Sequence, residues 1–437
     1  MKNALRILLT GFILLMNFIP SVQAQRAEWL NQVIIVNGGK FETTPPYQDY
    51  VTVESYKPDT QTTIIFDTIY TQSAQDVVIR GNFAYVAAQD SIIMYNLDTY
   101  ERVAVVGDSG VSRLGIYKGN LIVTKQYPIK RFFAEVLNGN SLALLARVQN
   151  ISGECGGVTT AGDSLYIAVN YGYLGTEANI AVLDPNNYSL VREIELGDTA
   201  VGLNDLYCTG GYVWGIASTP YGAGTIGAVI RYNYITGEVK KDLLGYLIGR
   251  GAGVFGDYLY MMMNYAVGSF NLLTETVDNP AVLPDPGSLN HIFYSAVRID
   301  YVNQNFYANI TNQLSFGIGW IATLTGDSLT TYPTGINADA LAMDYRTPVG
   351  IADSRDNEEM FSVFPNPVTG LLKISLKPGT TVTEIRVADI TGRTILSASV
   401  SAGTEKSSID LTGYPTGIYF VTVISSQGTQ TRKIVKN

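Results

Sequence analysis

Histidine occurs once in the 437 residues, at His291, and cysteine only twice, at Cys155 and Cys208. A multi-histidine metal site is excluded, and a serine–histidine–aspartate triad has one candidate base. Charge is scarce as well, since Asp, Glu, Lys and Arg together make up 15% of the chain. Helix-rich soluble proteins carry more Glu, Lys and Ala, so the composition leans to β structure, as do the 43 Gly and 29 Tyr. The balance is acidic, 29 Lys+Arg against 38 Asp+Glu for a net −9, or −11 once Lys2 and Arg6 leave with residues 1–24. Such a surface repels phosphate backbones and anionic headgroups, which argues against nucleic acid or a membrane surface as partner. No P-loop, H-E-x-x-H, C-x-x-C or EF-hand spacing occurs. No metal, cofactor or catalytic set is therefore expected.

The N-terminus has the pattern of an export signal. Lys2 and Arg6 form a positive start, Ile7 to Ile19 is apolar, and Val22-Gln23-Ala24 offers a small-residue cleavage site before Gln25. Thirteen apolar residues are too few to cross a hydrocarbon core of ~30 Å, so residues 1–24 are expected to be removed by signal peptidase rather than to anchor the chain. No later run is long and apolar enough to span a membrane.

From Ala27 to Pro348 the chain shows short β-rich runs separated by turn residues, with no helical period. A glycine followed by an aromatic or aliphatic strand recurs at Gly81, Gly119, Gly162, Gly210 and Gly256, and Asn303-Gln304-Asn305-Phe306-Tyr307 is a degenerate sixth copy. The steps are 38, 43, 48, 46 and 47 residues. That period suits a four-stranded propeller blade with the turn between its first two strands, and about 320 residues at ~46 each make seven blades. The expected fold is all-β: a seven-bladed β-propeller over residues 25–350. Its N-terminal strands (Gln32–Val36, Tyr50–Ser55, Thr62–Ile69) would be closed by a last strand near Ala340–Tyr345, which removes the open edges. Leu165–Asn170, Asn179–Asp184 and Val191–Gly197 together resemble the YVTN-type repeat propellers.

Residues 351–360 turn polar and charged and read as a linker, followed by a small basic module, 361–437, patterned as an immunoglobulin-like β-sandwich. Its motifs come in a fixed order: Phe364-Pro365-Asn366-Pro367, then Asp389-Ile390-Thr391-Gly392-Arg393, Gly417-Ile418-Tyr419-Phe420-Val421 and Arg432-Lys433-Ile434-Val435-Lys436. In that order they resemble the C-terminal sorting domain of type IX secretion substrates. The resemblance implies handling by the type IX machinery, passage through the periplasm and outer membrane, and release or attachment at the cell surface.

Some chemical-looking motifs are better read as structure. Gly222–Gly227 and Gly251–Gly256 both fit G-x-G-x-x-G, but each leads into further strands and not into a helix, so both are expected to be loop glycines. Gly107-Asp108-Ser109-Gly110 is expected to be a blade-to-blade turn. Cys155 and Cys208 stand at positions differing by about five residues relative to their blade turns, ~16 Å along a strand. Disulfides need Cα atoms within ~7 Å, so two unpaired, mostly buried thiols are expected.

The connections between second and third strands bring an aromatic to the same rim in five consecutive blades: Tyr127, Tyr171 with Tyr173, Tyr221, Tyr265 and Phe316. Blade-to-blade loops on that face add Arg113, Glu154, Asn204, Arg250, Asn290, His291 and Asn337. Rigid aromatics beside a few polar groups suit a glycan or small molecule, so this rim is the candidate ligand site. The expectation is an exported propeller that binds a glycan, a small molecule or a surface protein. The alternatives are a polysaccharide lyase or hydrolase using Tyr265, Arg250 and His291, and a structural adhesion protein. Asp90-Ser91-Ile92, Asp163-Ser164-Leu165 and Asp327-Ser328-Leu329 also resemble O-glycosylation acceptors of the same bacterial group.

Overall fold

In the computed structural model, residues 28–347 are described except 43, 46, 173–174 and 219–226. Residues 361–437 are described except 377–381, 391, 401–405 and 426–427. The expected signal peptide, the linker, Tyr173, Tyr221 and the Gly222–Gly227 motif (of which only Gly227 is described) therefore lie outside the described residues. The chain divides into two compact units, Met1–Pro348 and Val349–Asn437.

The first unit is a seven-bladed β-propeller made of seven four-stranded antiparallel sheets. The innermost strands pack in a closed cycle, each against the next and the last against the first. From blade 2 to blade 7 these are Ala74–Arg80, Val111–Tyr117, Cys155–Ala161, Leu203–Thr209, Ile248–Phe255 and Phe293–Asp300. Blade 1 is split. Its innermost strand, Ala340–Arg346, comes from the C-terminal end and pairs with Trp29–Asn37, followed by Val51–Lys57 and Thr62–Ile69. No blade edge is left open at the junction of the two chain ends.

The recurrent glycine has a local cause. The turn between first and second strands has two residues in blades 2 to 6, and tight hairpins of this kind demand a positive φ. Gly81, Gly162 and Gly256 supply it at the first turn position, with φ of 58°, 53° and 57°. Blade 7 has a four-residue turn, Tyr301 to Gln304, with Gln304 at φ 57°. The longer loop relieves the demand for glycine, which is why that copy looked degenerate.

Between blades the cores are apolar and continuous. Blade 4 meets blade 5 through Tyr166, Ile180, Leu206 and Tyr232, all buried. Blade 7 meets blade 1 through Tyr332, Tyr307, Tyr56 and Leu341. Gly107–Gly110 is a blade-to-blade turn as expected, between Arg102–Gly107 and Val111–Tyr117. Gly251–Gly256 is a correction, since Gly251 to Phe255 form most of an innermost strand rather than a loop. There a Cβ on Gly251 would lie 2.3 Å from the Tyr207 hydroxyl, so close packing and not a loop requires glycine. Both cysteines are free, and Cys155 is buried, but Cys208 is exposed. It stands next to the end of its strand, beside the Gly210-Gly211 turn that has no side chains to cover it.

The second unit packs a three-stranded sheet and a four-stranded sheet around Phe361, Leu372, Ile385, Val421 and Ile434. Its sequence motifs act structurally. The Asn366 amide accepts from Val435 N–H (2.8 Å) and donates to Lys433 O (3.1 Å), tying the Pro365-Asn366-Pro367 segment to the last strand. Asp389 takes the Arg393 guanidinium at 3.1 Å across a turn in which Gly392 has φ 82°. Tyr419, which follows Gly417-Ile418, is buried and donates its hydroxyl to Pro415 O at 2.8 Å.

Candidate functional site: the propeller channel and its rim

Strand alternation sets all five second-to-third connections on one face, with the blade-to-blade loops. The aromatics there behave differently from one another. Tyr127 and Phe316 are each 79% exposed, and Tyr265, at 49%, leans on Phe293 with ring centroids 5.8 Å apart. Tyr171 is half-buried and committed to packing: its hydroxyl meets Ser152 Oγ and accepts from Asn179 Nδ2, both at 2.8 Å. A Cβ on Gly153 would lie 2.3 Å from its ring. His291 is exposed in a left-handed conformation (φ 59°) that closes the short turn Ser288–Asn290. No hydrogen bond, ring contact or ion pair joins it to Arg250 or Tyr265 among the described residues. Glu154 receives a hydrogen bond from the backbone of Tyr127, and burial raises its carboxyl pKa.

Arg250 and Arg113 stand on the innermost strands, not in the rim loops, and the groups around them were not expected from the motifs. Five residues before the first-to-second turn of each blade lie Asp76, Arg113, Gly157, Asp205, Gly251 and Ala296, from blade 2 to blade 7. Reading that column down the repeat is the signal that would have found them. Strand pairing in each of these blades shifts register just before or at this level, as a bulge that turns side chains toward the axis does. Arg298 and Tyr207 belong to the next level, two residues further along. Asp76, Arg113, Asp205, Tyr207 and Arg298 line a cavity of about 500 Å³, whose lining also includes Tyr301 and Tyr345.

The carboxylates there are largely taken up by backbone. Asp76 accepts from Leu114 N–H of the next blade at 2.9 Å and from Val77 N–H at 3.0 Å. Asp205 accepts from Gly251 N–H, likewise one blade on, at 2.9 Å. Its other oxygen faces Arg113 Nε at 3.9 Å, an ion pair that passes in front of blade 4. Gly156 and Gly157 let blade 4 pack closely on blade 5, since a Cβ on either would lie within 2.9 Å of Asn204 O.

The guanidiniums are less well served. Among the described residues Arg298 donates only to carbonyls, Val297 O at 2.9 Å and Gly251 O at 3.4 Å. Arg250 is exposed to solvent, with protein groups crowded around it. It makes no hydrogen bond or ion pair with any described residue. The charge of Arg113, followed by burial, pulls its pKa down to about 10 despite Asp205 and Asp76. Tyr207 is raised by burial and stays neutral.

Asp339, just ahead of the closing strand, accepts from Asn337 Nδ2 at 2.7 Å. Burial raises its pKa to about 6, and the attraction of Arg250 offsets this only in part. The native carboxyl thus holds its proton more tightly than the unfolded one. Its contribution to stability is present near pH 4 and is lost as pH rises through about 6. Asp339→Asn should stabilise the propeller by about 1–3 kcal/mol at neutral pH and by almost nothing near pH 4. Urea unfolding at the two pH values measures both.

Residues 362–437 match the family described as the secretion system C-terminal sorting domain. No curated protein matches the chain. Among solved structures it is similar to hydrazine synthase of Kuenenia stuttgartiensis, at 13% identity over 72% of this chain and 99% of that one, TM-score 0.49. It is also similar to the RRP9 WD40 repeats, at 13% identity over 61% and 83%, TM-score 0.48. A third is BamB from Moraxella catarrhalis, at 13% over 80% and 95%, TM-score 0.44. The C-terminal unit is thus a type IX sorting domain, and the protein is secreted or attached at the cell surface. Among the described residues no helix is long and apolar enough to cross a membrane.

Proposed function

We propose that the propeller is a ligand-binding module displayed outside the cell, exported after removal of residues 1–24 and delivered by its sorting domain. The ligand-binding part is the central channel, with the exposed rim residues Tyr127, Tyr265 and Phe316 as a second contact surface. The observation that carries this is the cavity of about 500 Å³ onto which Asp76, Arg113, Asp205, Tyr207 and Arg298 converge. Its volume falls in the range of small-ligand sites, and a few placed polar groups among apolar walls are what such sites use for orientation.

Thermal unfolding of the chain from Gln25 onward, against neutral and acidic sugars, haem, corrinoids and divalent cations, tests this. A ligand at ~100 times its Kd adds about 2.7 kcal/mol to stability. A shift lost in Arg298→Gln but kept in Tyr127→Ala and Phe316→Ala supports the channel. The opposite pattern moves the site to the rim. No shift from any compound overturns small-ligand binding.

A further inference from the structure

We propose that the channel holds the oxyanion of a small organic ligand, a carboxylate, sulfate or phosphate group gripped between Arg113, Arg250 and Arg298. The inference rests on the channel being the ligand site and specifies what that site selects.

Arg113 of blade 3 and Arg298 of blade 7 line the cavity, and Arg250 of blade 6 lies within electrostatic reach of both, in a protein whose net charge is −9. The two carboxylates at their level do not neutralise them in pairs. One oxygen of Asp205 and both of Asp76 are held by backbone N–H groups. The single recorded ion pair at this level, Arg113 with Asp205, is long at 3.9 Å. Among the described residues Arg250 has no hydrogen-bond or ion-pair partner, and its strongest electrostatic neighbour is another arginine, which lowers its pKa to about 10. Like charges held close together lower stability unless an anion joins them. Unsatisfied charge of this kind is retained where a ligand completes the pairing. Arginine also presents a planar fork of donors that matches the two oxygens of a carboxylate or phosphate. Tyr207, held neutral, adds a hydroxyl and a ring face beside the same cavity.

Arg250→Gln separates a binding role from a structural one, because Arg250 makes no hydrogen bond or ion pair with any described residue. Without ligand the variant should melt about 1–3 °C higher, as the repulsion from Arg113 is removed. Glucose, glucuronate, glucose 6-phosphate and inorganic phosphate are then compared at constant ionic strength, so that screening of surface charge does not contribute. The expected result is a shift with at least one anion and none with glucose. Isothermal titration should show the responding anion binding about 10–100-fold more weakly to Arg250→Gln. Arg250→Lys, which keeps the charge but not the fork, should recover only part of that loss. A response to glucuronate and glucose 6-phosphate but not to inorganic phosphate assigns an acidic sugar, and the reverse assigns free phosphate. Glucose shifting the melting temperature as much as its acids, or anion affinity unchanged in Arg250→Gln, overturns the oxyanion site while leaving the channel a binding site. No response to any probe in this or the wider panel overturns both.

Discussion

Replacing Asp344 by alanine should lower the unfolding free energy by about 3–5 kcal/mol, more than any single change on the propeller surface. Asp344 lies on the closing strand Ala340–Arg346, and its side chain is fully buried. It accepts two hydrogen bonds from Arg346, from Nε at 2.6 Å and Nη2 at 3.0 Å. Gln32 Nε2, at 2.8 Å, and Asn31 Nδ2, at 3.0 Å, donate to the same carboxylate from the neighbouring N-terminal strand. Arg346 reaches on to Asp98 of blade 2 at 2.9 Å. The carboxylate thus links the two ends of the chain within blade 1 and, through Arg346, links blade 1 to blade 2. Alanine would leave Arg346 with only Asp98, and the buried Gln32 amide with only Leu97 O at 3.3 Å, a larger cost than the loss of one favourable contact. Denaturant unfolding followed by tryptophan fluorescence measures the change. A loss below about 1 kcal/mol would mean that the apolar contacts of the closing strand hold blade 1 without this clasp.

Tyr332→Ala should cost a similar amount, about 3–5 kcal/mol, through a different term. The ring stacks on Tyr56 across the blade 7–blade 1 interface, with centroids 4.3 Å apart and planes at 17°. It also fills the space over Gly319, where a Cβ would fall 1.9 Å from the ring. Its hydroxyl donates to Asn309 Oδ1 at 2.9 Å, and both residues are buried. Tyr332→Phe keeps the ring and removes only that donor, so about 1–2 kcal/mol is expected. Comparing the two variants separates the cavity from the hydrogen bond. Equal losses would mean that the hydroxyl, and not the ring, holds the interface together.

Both variants act on the place where the ends of the chain meet, which is also where Asp339 stands. Asp339, whose carboxyl feels the charge of Arg250, comes immediately before Ala340–Arg346. Variants that loosen the closure are expected to be poor tests of binding, which is why Arg250, on blade 6, is the better probe of the channel.

The repeat step, the blade count and the split first blade were legible in the sequence. Each follows from local chemistry: two-residue turns need a positive φ, so glycine marks every blade from 2 to 6 at a regular interval. Type IX export was legible for a similar reason, because Asn366, Asp389 with Gly392 and Arg393, and Tyr419 each bond within a few residues or to the last strand. The rim was legible as a position, since strand alternation alone puts Tyr127, Tyr265 and Phe316 on one face. Which aromatics stay free was not legible. Tyr171 turns inward because Gly153, Ser152 and Asn179 come together only when blade 4 has formed.

The channel was decided by the tertiary structure. Asp76, Arg113, Asp205, Arg250 and Arg298 are spread over more than two hundred residues, and none belongs to a motif with the others. Closing the ring brings their strands to one axis, and the bulges there set which side chains face it. The charge balance is also a three-dimensional property. An acidic chain gathers arginines where backbone N–H groups occupy its carboxylates, and among the described residues Arg250 has no hydrogen-bond or ion-pair partner there.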